Sequence, residues 1–179
     1  MSLEPVTVRP AGDGDIAAIA AIYRRAVATG TASWELVPPD DTTMRERFRT
    51  LSGGGYPYLV ALRGGTLVGY AYASPFRPRE GYRYTVEDSV YVAGDARRSG
   101  VGRALLAALI GACAAGGWRQ MVAVIGGAGE VASIRLHASQ GFVEAGRLRD
   151  IGRKFGRWLD CVLMQRALGE GAATAPTGE

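Results

Sequence analysis

One segment in the middle of the chain constrains the fold most: a predicted strand, an arginine- and glycine-rich turn and a helix that follow one another directly. The strand is predicted over 85–92, where β-branched and aromatic residues are frequent. The turn reads Arg97-Arg98-Ser99-Gly100-Val101-Gly102-Arg103, and apolar residues at helical spacing predict a helix over 100–115. Glycines at such a turn let backbone N–H groups approach an anion, and the helix N-terminus adds partial positive charge. The segment therefore predicts a pyrophosphate cradle, with arginines as bidentate partners.

Three other interpretations of this turn compete with the cradle. A P-loop needs Gly-x-x-x-x-Gly-Lys-Ser/Thr, and the turn contains no lysine. A dinucleotide-binding turn needs a third small residue at position 105, where this chain has Leu105. A tight turn with a helix cap and solvent-facing arginines stays open on glycine spacing alone.

The remaining segments predict a single α+β domain. Strands are predicted at 6–10, 58–62, 67–74, 121–125, 143–151 and 158–166, and helices begin near 16, 41 and 131. This order predicts a mixed, largely antiparallel sheet flanked by helices. The domain is expected to span 1–168, and the small, polar segment 169–179 is expected to be a disordered tail.

Composition narrows the class of protein. A net charge of +4 over 179 residues is too mild and dispersed for a nucleic-acid-binding face. No apolar run approaches the roughly 20 residues that span a bilayer, and 1–10 do not read as a signal peptide. We therefore expect a cytoplasmic protein with no nucleic-acid or membrane partner.

The cysteine and histidine content points away from a metal centre. Cys113 and Cys161 lie in apolar surroundings and are predicted to be buried, free thiols. His137 is the only histidine, and the sequence contains no Cys-x-x-Cys pair. A dedicated transition-metal site is not expected.

Several motifs together resemble the GNAT superfamily of acetyltransferases. The turn matches that family's Arg-x-x-Gly-x-Gly motif, and 132–137 followed by Gly141-Phe142 is similar to the helix after its fifth strand. Further stretches, similar to the phosphinothricin and methionine sulfoximine (or methionine sulfone) branch, lie at 82–87, 122–126 and 155–160. The resemblance covers about 6–168 and implies a GNAT-like acyl-CoA N-acyltransferase fold.

The resemblance implies that acetyl-CoA is the co-substrate and that it binds in two halves. The implied contacts are the backbone of Val90, Tyr91 and Val92 for the pantetheine arm, residues 97–103 for the pyrophosphate, and Ser133, Leu136 and His137 for the thioester end. One departure is Glu130, where relatives usually carry Asn. A carboxylate there lacks the amide donor.

The implied reaction is direct attack of an amine on a thioester, which needs a base because amines are mostly protonated at neutral pH. Strand alternation aims Glu87 opposite to Val86, and the resemblance places the family's proposed catalytic glutamate at Glu87. Asp88 is expected to be a polar group on the other face. His137 stands where a histidine is thought to assist proton transfer in this branch; a structural role for a lone helical histidine is the alternative.

The acceptor is expected to be a small, amino-acid-like amine. Two arginines beside aromatic residues suit a carboxylate or phosphinate, so Arg77, Arg79 and Tyr82 are candidate substrate contacts. Trp34 is a candidate either for closing the pocket or for anchoring the core. A protein N-terminus or polyamine as acceptor, and a non-catalytic acetyl-CoA-binding module, remain alternatives. The resemblance also implies a homodimer.

Overall fold

Helices and strands follow the order that the hydrophobic pattern predicts. A computed structural model describes residues 4–127 and 131–176. In chain order, its elements are β1 (Thr7–Pro10), α1 (Ile16–Thr29), α2 (Asp41–Gly53), β2 (Tyr58–Arg63), β3 (Thr66–Pro75), β4 (Thr85–Val92), α3 (Val101–Ala115), β5 (Gln120–Gly126), α4 (Val131–Ala138), β6 (Val143–Lys154) and β7 (Arg157–Ala167). The predicted α+β class is confirmed.

The seven strands form one sheet in the order β1-β2-β3-β4-β5-β7-β6. Within the described residues, β4 and β5 pair in parallel and the other neighbours pair antiparallel. Alternation along β3 shows how the two faces are used: Tyr70 packs under α1 and α2, while Ala71 packs against the α3 side. The core is therefore divided into two apolar layers, one on each face of the sheet.

The parallel pair separates halfway along its length. Residues 85–88 of β4 pair with 120–123 of β5, but β4 continues to Val92 and β5 to Gly126 without pairing to each other. On its other side β4 stays paired with β3 as far as Val92. The separation opens a gap in the middle of the sheet, and one edge of the backbone of 89–92 faces into it.

The segment after β7 contains one short turn. Residues 169–172 form turns, and Arg119 donates hydrogen bonds to Thr174 Oγ1 (3.2 Å) and the Ala175 carbonyl (3.3 Å). The disorder expected for 169–179 stays a prediction. Residues 177–179 lie outside the described residues.

Cys113 and Cys161 are buried and free, as predicted. No helix within the described part of the chain is long and apolar enough to cross a bilayer.

Gly69 lets α3 lie directly on the sheet, and Gly69→Ala should destabilise the fold. A Cβ at this position would lie 2.9 Å from the Tyr91 carbonyl oxygen and 3.1 Å from side-chain atoms of Leu105 and Val101. Overpacking of this kind costs about 1–3 kcal/mol of unfolding free energy, which chemical denaturation would measure. Gly111→Ala is the matched control: its Cβ would meet nothing within 4 Å in α3, so we expect an unchanged or slightly higher stability. Equal effects of the two substitutions would contradict the packing argument.

Candidate active site

A cleft of about 370 Å³ lies where β4 and β5 separate. Its walls come from β4, β5, the start of α4, and the loop between α1 and α2. Six of the residues singled out from the sequence line it: Trp34, Glu87, Val90, Tyr91, Ser133 and His137. The gap in the sheet therefore brings the predicted base, the lone histidine and part of the predicted cofactor site together.

Glu87 is half-buried in the cleft and has an unusually high pKa. It pairs across the sheet with Ser74, so its side chain lies on the face covered by α1 and α2. Burial, with a smaller contribution from the neighbouring Asp88 charge, raises the pKa of Glu87 to about 7, and the positive charge of Arg77 opposes this shift. A carboxyl group with a pKa near neutrality can accept a proton from an ammonium group much better than an ordinary glutamate can.

His137 forms a buried ion pair with Asp88 on the opposite face of β4. The Nε2 atom of His137 lies 2.9 Å from Asp88 Oδ2, and Nδ1 lies 2.7 Å from the Ser133 carbonyl oxygen. The two side chains are 5% and 1% exposed. Burial lowers the pKa of His137, but the hydrogen bond and charge of Asp88, with the Ser133 carbonyl, raise it overall.

Both ring nitrogens of His137 therefore face acceptors, which favours the doubly protonated imidazolium. The sequence analysis did not predict that Asp88 pairs with His137. The sequence nevertheless indicated that Asp88 needs a partner, because a carboxylate on the core face of a strand must be paired. His137 is the one histidine that could supply such a partner.

The turn before α3 fits a pyrophosphate. Arg98 and Gly100 both have positive φ, 58° and 85°, so the backbone turns sharply just before the first residue of α3. Arg97, Arg98 and Arg103 are exposed, and none is ion-paired within the described part of the chain. Their guanidinium groups are thus available to an anion at the α3 N-terminus.

Helix α4 lies against the same turn. A Cβ at Gly102 would lie 3.3 Å from Leu136 Cδ2 and 3.6 Å from Val92 Cγ2, so this glycine allows the three segments to approach closely. Ser133 and His137 of α4 then line the cleft one turn of helix apart. Glu130, the departure noted in the sequence, lies outside the described residues.

The candidate substrate loop lies beside the cleft rather than in its wall. Arg77, Arg79 and Tyr82 are exposed, and none of the three lines the cavity. Arg77 stacks over the Phe76 ring at 4.7 Å, and the Phe76 and Tyr82 rings meet edge to face at 5.8 Å. The loop connects β3 to β4 immediately before Glu87. Arg77 therefore influences the cleft through its charge on Glu87.

Trp34 is held in the cleft wall by two glycines. A Cβ at Gly152 would lie 2.0 Å from Trp34 Cζ3, and a Cβ at Gly126 would lie 2.9 Å from Cε2. The preceding Ser33 is fixed by two further hydrogen bonds, from Lys154 Nζ to its carbonyl (2.8 Å) and between its hydroxyl and Tyr23 (2.9 Å). Trp34 packs against the two strands that carry these glycines and lines the cleft, but it is 36% exposed and belongs to neither layer of the core, so the role of core anchor is not supported.

Within the described ranges, no three His, Cys, Asp or Glu side chains are grouped so that they could hold a metal ion.

The fold, the gap beside β4 and the arginine-rich turn together define an acyl-CoA-dependent N-acyltransferase. Comparison with known proteins gives the family: residues 19–142 match the acetyltransferase (GNAT) family. The chain belongs to the GNAT family of acetyltransferases.

Several relatives are highly similar over nearly their whole length. The chain is 57% identical to a phosphinothricin N-acetyltransferase of Alcaligenes faecalis over 170 residues, which is 95% of this chain and 86% of the relative. It is 46% identical to an L-methionine sulfoximine/L-methionine sulfone acetyltransferase of Pseudomonas aeruginosa, covering 89% and 92%. A GNAT phosphinothricin acetyltransferase of Sinorhizobium meliloti, solved with acetyl-CoA, superposes with a TM-score of 0.94 at 51% identity, covering 97% and 94%.

Proposed function

We propose that this protein transfers the acetyl group of acetyl-CoA to the α-amino group of an amino-acid-like acceptor of the phosphinothricin, methionine sulfoximine or methionine sulfone type. The observation that carries the proposal is Glu87, a half-buried carboxyl group in the cleft with a pKa of about 7. The names of relatives with 57% and 46% identity support the acceptor class.

In this mechanism the acceptor amine binds on the Glu87 side of β4, and the acetyl thioester lies towards His137 on the other side. Acetyl-CoA supplies an activated acetyl thioester, held by the backbone of 90–92 and by the turn 97–103. Glu87 removes a proton from the acceptor ammonium group, directly or through water, so that the amine can attack. No covalent enzyme intermediate is needed.

We propose that His137 assists proton transfer at the thioester end of the site. It lies on the other face of β4 from Glu87 and lines the same cleft, with both nitrogens bonded to acceptors. Because Asp88 lies 2.9 Å away and compensates the charge of the imidazolium, His137 acts as a proton source for the departing thiolate and not as a net positive charge. Arg77, Arg79 and Tyr82 are proposed to attract the carboxylate or phosphinate group of the acceptor, and Trp34 to cover it.

The first test is a thiol-release assay with acetyl-CoA and a panel of amines. The panel contains phosphinothricin, L-methionine sulfoximine, L-methionine sulfone, ordinary amino acids, a polyamine and a peptide N-terminus. Turnover of the first three compounds supports the proposal. Turnover of only the peptide or the polyamine would reassign the acceptor, and tight acetyl-CoA binding with no turnover would identify a non-catalytic binding module. A homodimer in the cytoplasm, without nucleic-acid or membrane partners, stays a prediction.

The pH dependence of the reaction provides a second test. A base is active when deprotonated, so kcat/KM should rise with pH through about 7, the pKa of Glu87. The positive charge of Arg77 lowers this pKa, so Arg77→Gln should move the rising limb to higher pH. Arg79→Gln is the control, because Arg79 does not contribute to the shift at Glu87. A rising limb that moves equally in both variants, or in neither, would contradict this assignment.

A further inference from the structure

The β6–β7 hairpin buries one charged side chain at the end of a strand that is otherwise largely exposed. Lys154 is the one buried residue of β6, at 3% exposure, and it is the only lysine of the chain. Lysine is among the residue types least often buried, because an ammonium group loses its hydration unless a partner replaces it. We therefore expect Lys154 to have a specific partner.

The turn of the hairpin determines the face on which Lys154 lies. Phe155 and Gly156 join β6 to β7 with φ values of 50° and 75°. Two consecutive residues with positive φ are typical of a tight hairpin turn, and Lys154 pairs with Arg157 directly across it. Because side chains alternate along a strand, Lys154 lies on the same face of β6 as Gly152.

This face of the hairpin meets the loop that forms one wall of the cleft. Lys154 Nζ donates a hydrogen bond to the Ser33 carbonyl at 2.8 Å, and the Trp34 ring occupies the space over Gly152. Residues 32–35 all line the cleft, and they belong to no helix or strand. Such a segment keeps its position only through contacts with neighbouring elements. The hairpin is therefore one support of this wall.

The loop lies between two cations, one on each side. The Glu35 carboxylate is 2.6 Å from Arg47 of α2. Burial lowers the pKa of Lys154, and the negative charge of Glu35 opposes this shift. The Arg47–Glu35 pair is partly exposed and contributes little, whereas the hydrogen bond from Lys154 is buried and charge-assisted. Loss of the Lys154 contact should therefore release the loop more than loss of the exposed pair.

We propose that Lys154 is a positioning residue for acceptor binding: its ammonium group holds Ser33 against the hairpin and thereby keeps Trp34 in the wall of the cleft. This inference rests on the proposed function, in which Trp34 covers the acceptor. Lys154 does not itself line the cleft, so it acts through the loop. The turn 97–103 lies between β4 and α3, away from the hairpin in the chain, so acetyl-CoA binding should not depend on Lys154.

The first experiment measures both KM values in hairpin variants. Lys154→Met removes the donor and should raise KM for L-methionine sulfone about tenfold, the value of one charge-assisted hydrogen bond, with KM for acetyl-CoA and kcat almost unchanged. Lys154→Arg, which keeps a cationic donor, should recover most of this loss. Lys154→Gln, which is shorter and uncharged, should act in the same direction as Lys154→Met and replaces it if that variant is unstable. Arg157→Met, an exposed cation across the turn, is the matched control and should leave both KM values unchanged.

A double variant tests whether Lys154 acts through Trp34. Trp34→Ala should itself raise KM for the sulfone, and adding Lys154→Met to it should have little further effect, because the two substitutions remove one interaction. A full tenfold effect of Lys154→Met in the Trp34→Ala enzyme would overturn the inference. Equal rises in KM for the sulfone and for acetyl-CoA would overturn it as well.

The fluorescence of Trp34 separates this inference from the proposed function. The chain has three tryptophans, so Trp118→Phe/Trp158→Phe leaves Trp34 as the only emitter. In that background, acrylamide should quench Trp34 more strongly in Lys154→Met than in Arg157→Met. This difference, without turnover of any amine by the wild type, would support the hold on the loop and overturn the proposed function. Turnover of the sulfone with equal quenching and equal KM in the two variants would overturn the inference and leave the proposed function intact.

Discussion

Glu87→Gln should lower kcat about 10²–10⁴-fold, the usual contribution of a general base. The substitution keeps the size and hydrogen-bonding shape of the side chain but removes its ability to accept a proton. Because Glu87 has the raised pKa of about 7 that the reaction needs, the rising limb of the pH profile should disappear with it. Steady-state thiol release with L-methionine sulfone from pH 5.5 to 9 measures both effects.

Two control measurements show whether the loss of kcat is specific to the removal of the base. The KM for acetyl-CoA should stay within twofold, because the turn 97–103 and the α4 contacts are unchanged. Glu80→Gln, an exposed glutamate in the loop before β4, should retain wild-type kcat. A Glu87→Gln enzyme that keeps a tenth or more of the activity and the same pH profile would assign the base to another group.

Asp88→Leu should cost about 3–5 kcal/mol of unfolding free energy at pH 6, the usual effect of leaving one member of a buried ion pair unpaired. The His137 imidazolium would lose its partner at 2.9 Å in a site where both side chains are almost fully buried. Since Asp88 lies on β4 and His137 on α4, the gap that separates β4 from β5 should also lose its shape. Urea denaturation followed by circular dichroism gives the loss of stability.

The pH dependence of this loss follows from the direction of the His137 shift. The pKa of His137 is raised in the folded protein, so the pair contributes its full stability below the unfolded value of about 6.5. That contribution is lost as the pH rises through the folded pKa. The difference between wild type and Asp88→Leu should therefore shrink from pH 6 to pH 9.

Two variants test whether this effect comes from the pair. The double variant Asp88→Leu/His137→Leu should recover much of the loss, because apolar side chains replace both charges. Asp95→Asn, at an exposed position in the turn before α3, serves as the surface control. A pH-independent loss, or no recovery in the double variant, would show that the effect is packing alone.

The local features of this protein could be predicted from the sequence. The predicted limits of β4 at 85 and 92 and the predicted start of α2 near 41 agree with the structure, because alternation and helical spacing act over a few neighbouring residues. The arginine- and glycine-rich turn was recognisable for the same reason: its chemistry lies in seven consecutive residues. Alternation along β4 also placed Glu87 and Asp88 on opposite faces.

The tertiary structure alone decided what those residues meet. Asp88 finds His137 49 positions away, and Trp34 packs on Gly126 and Gly152 from other strands. The pKa of Glu87 depends on burial under elements that are remote in sequence. Sequence patterns encode the period and the turns of single elements, whereas desolvation and pairing arise when several elements meet. For this reason the sequence predicted a cofactor turn and a base, but only the fold revealed the ion pair behind the histidine and the environment that raises the pKa of Glu87.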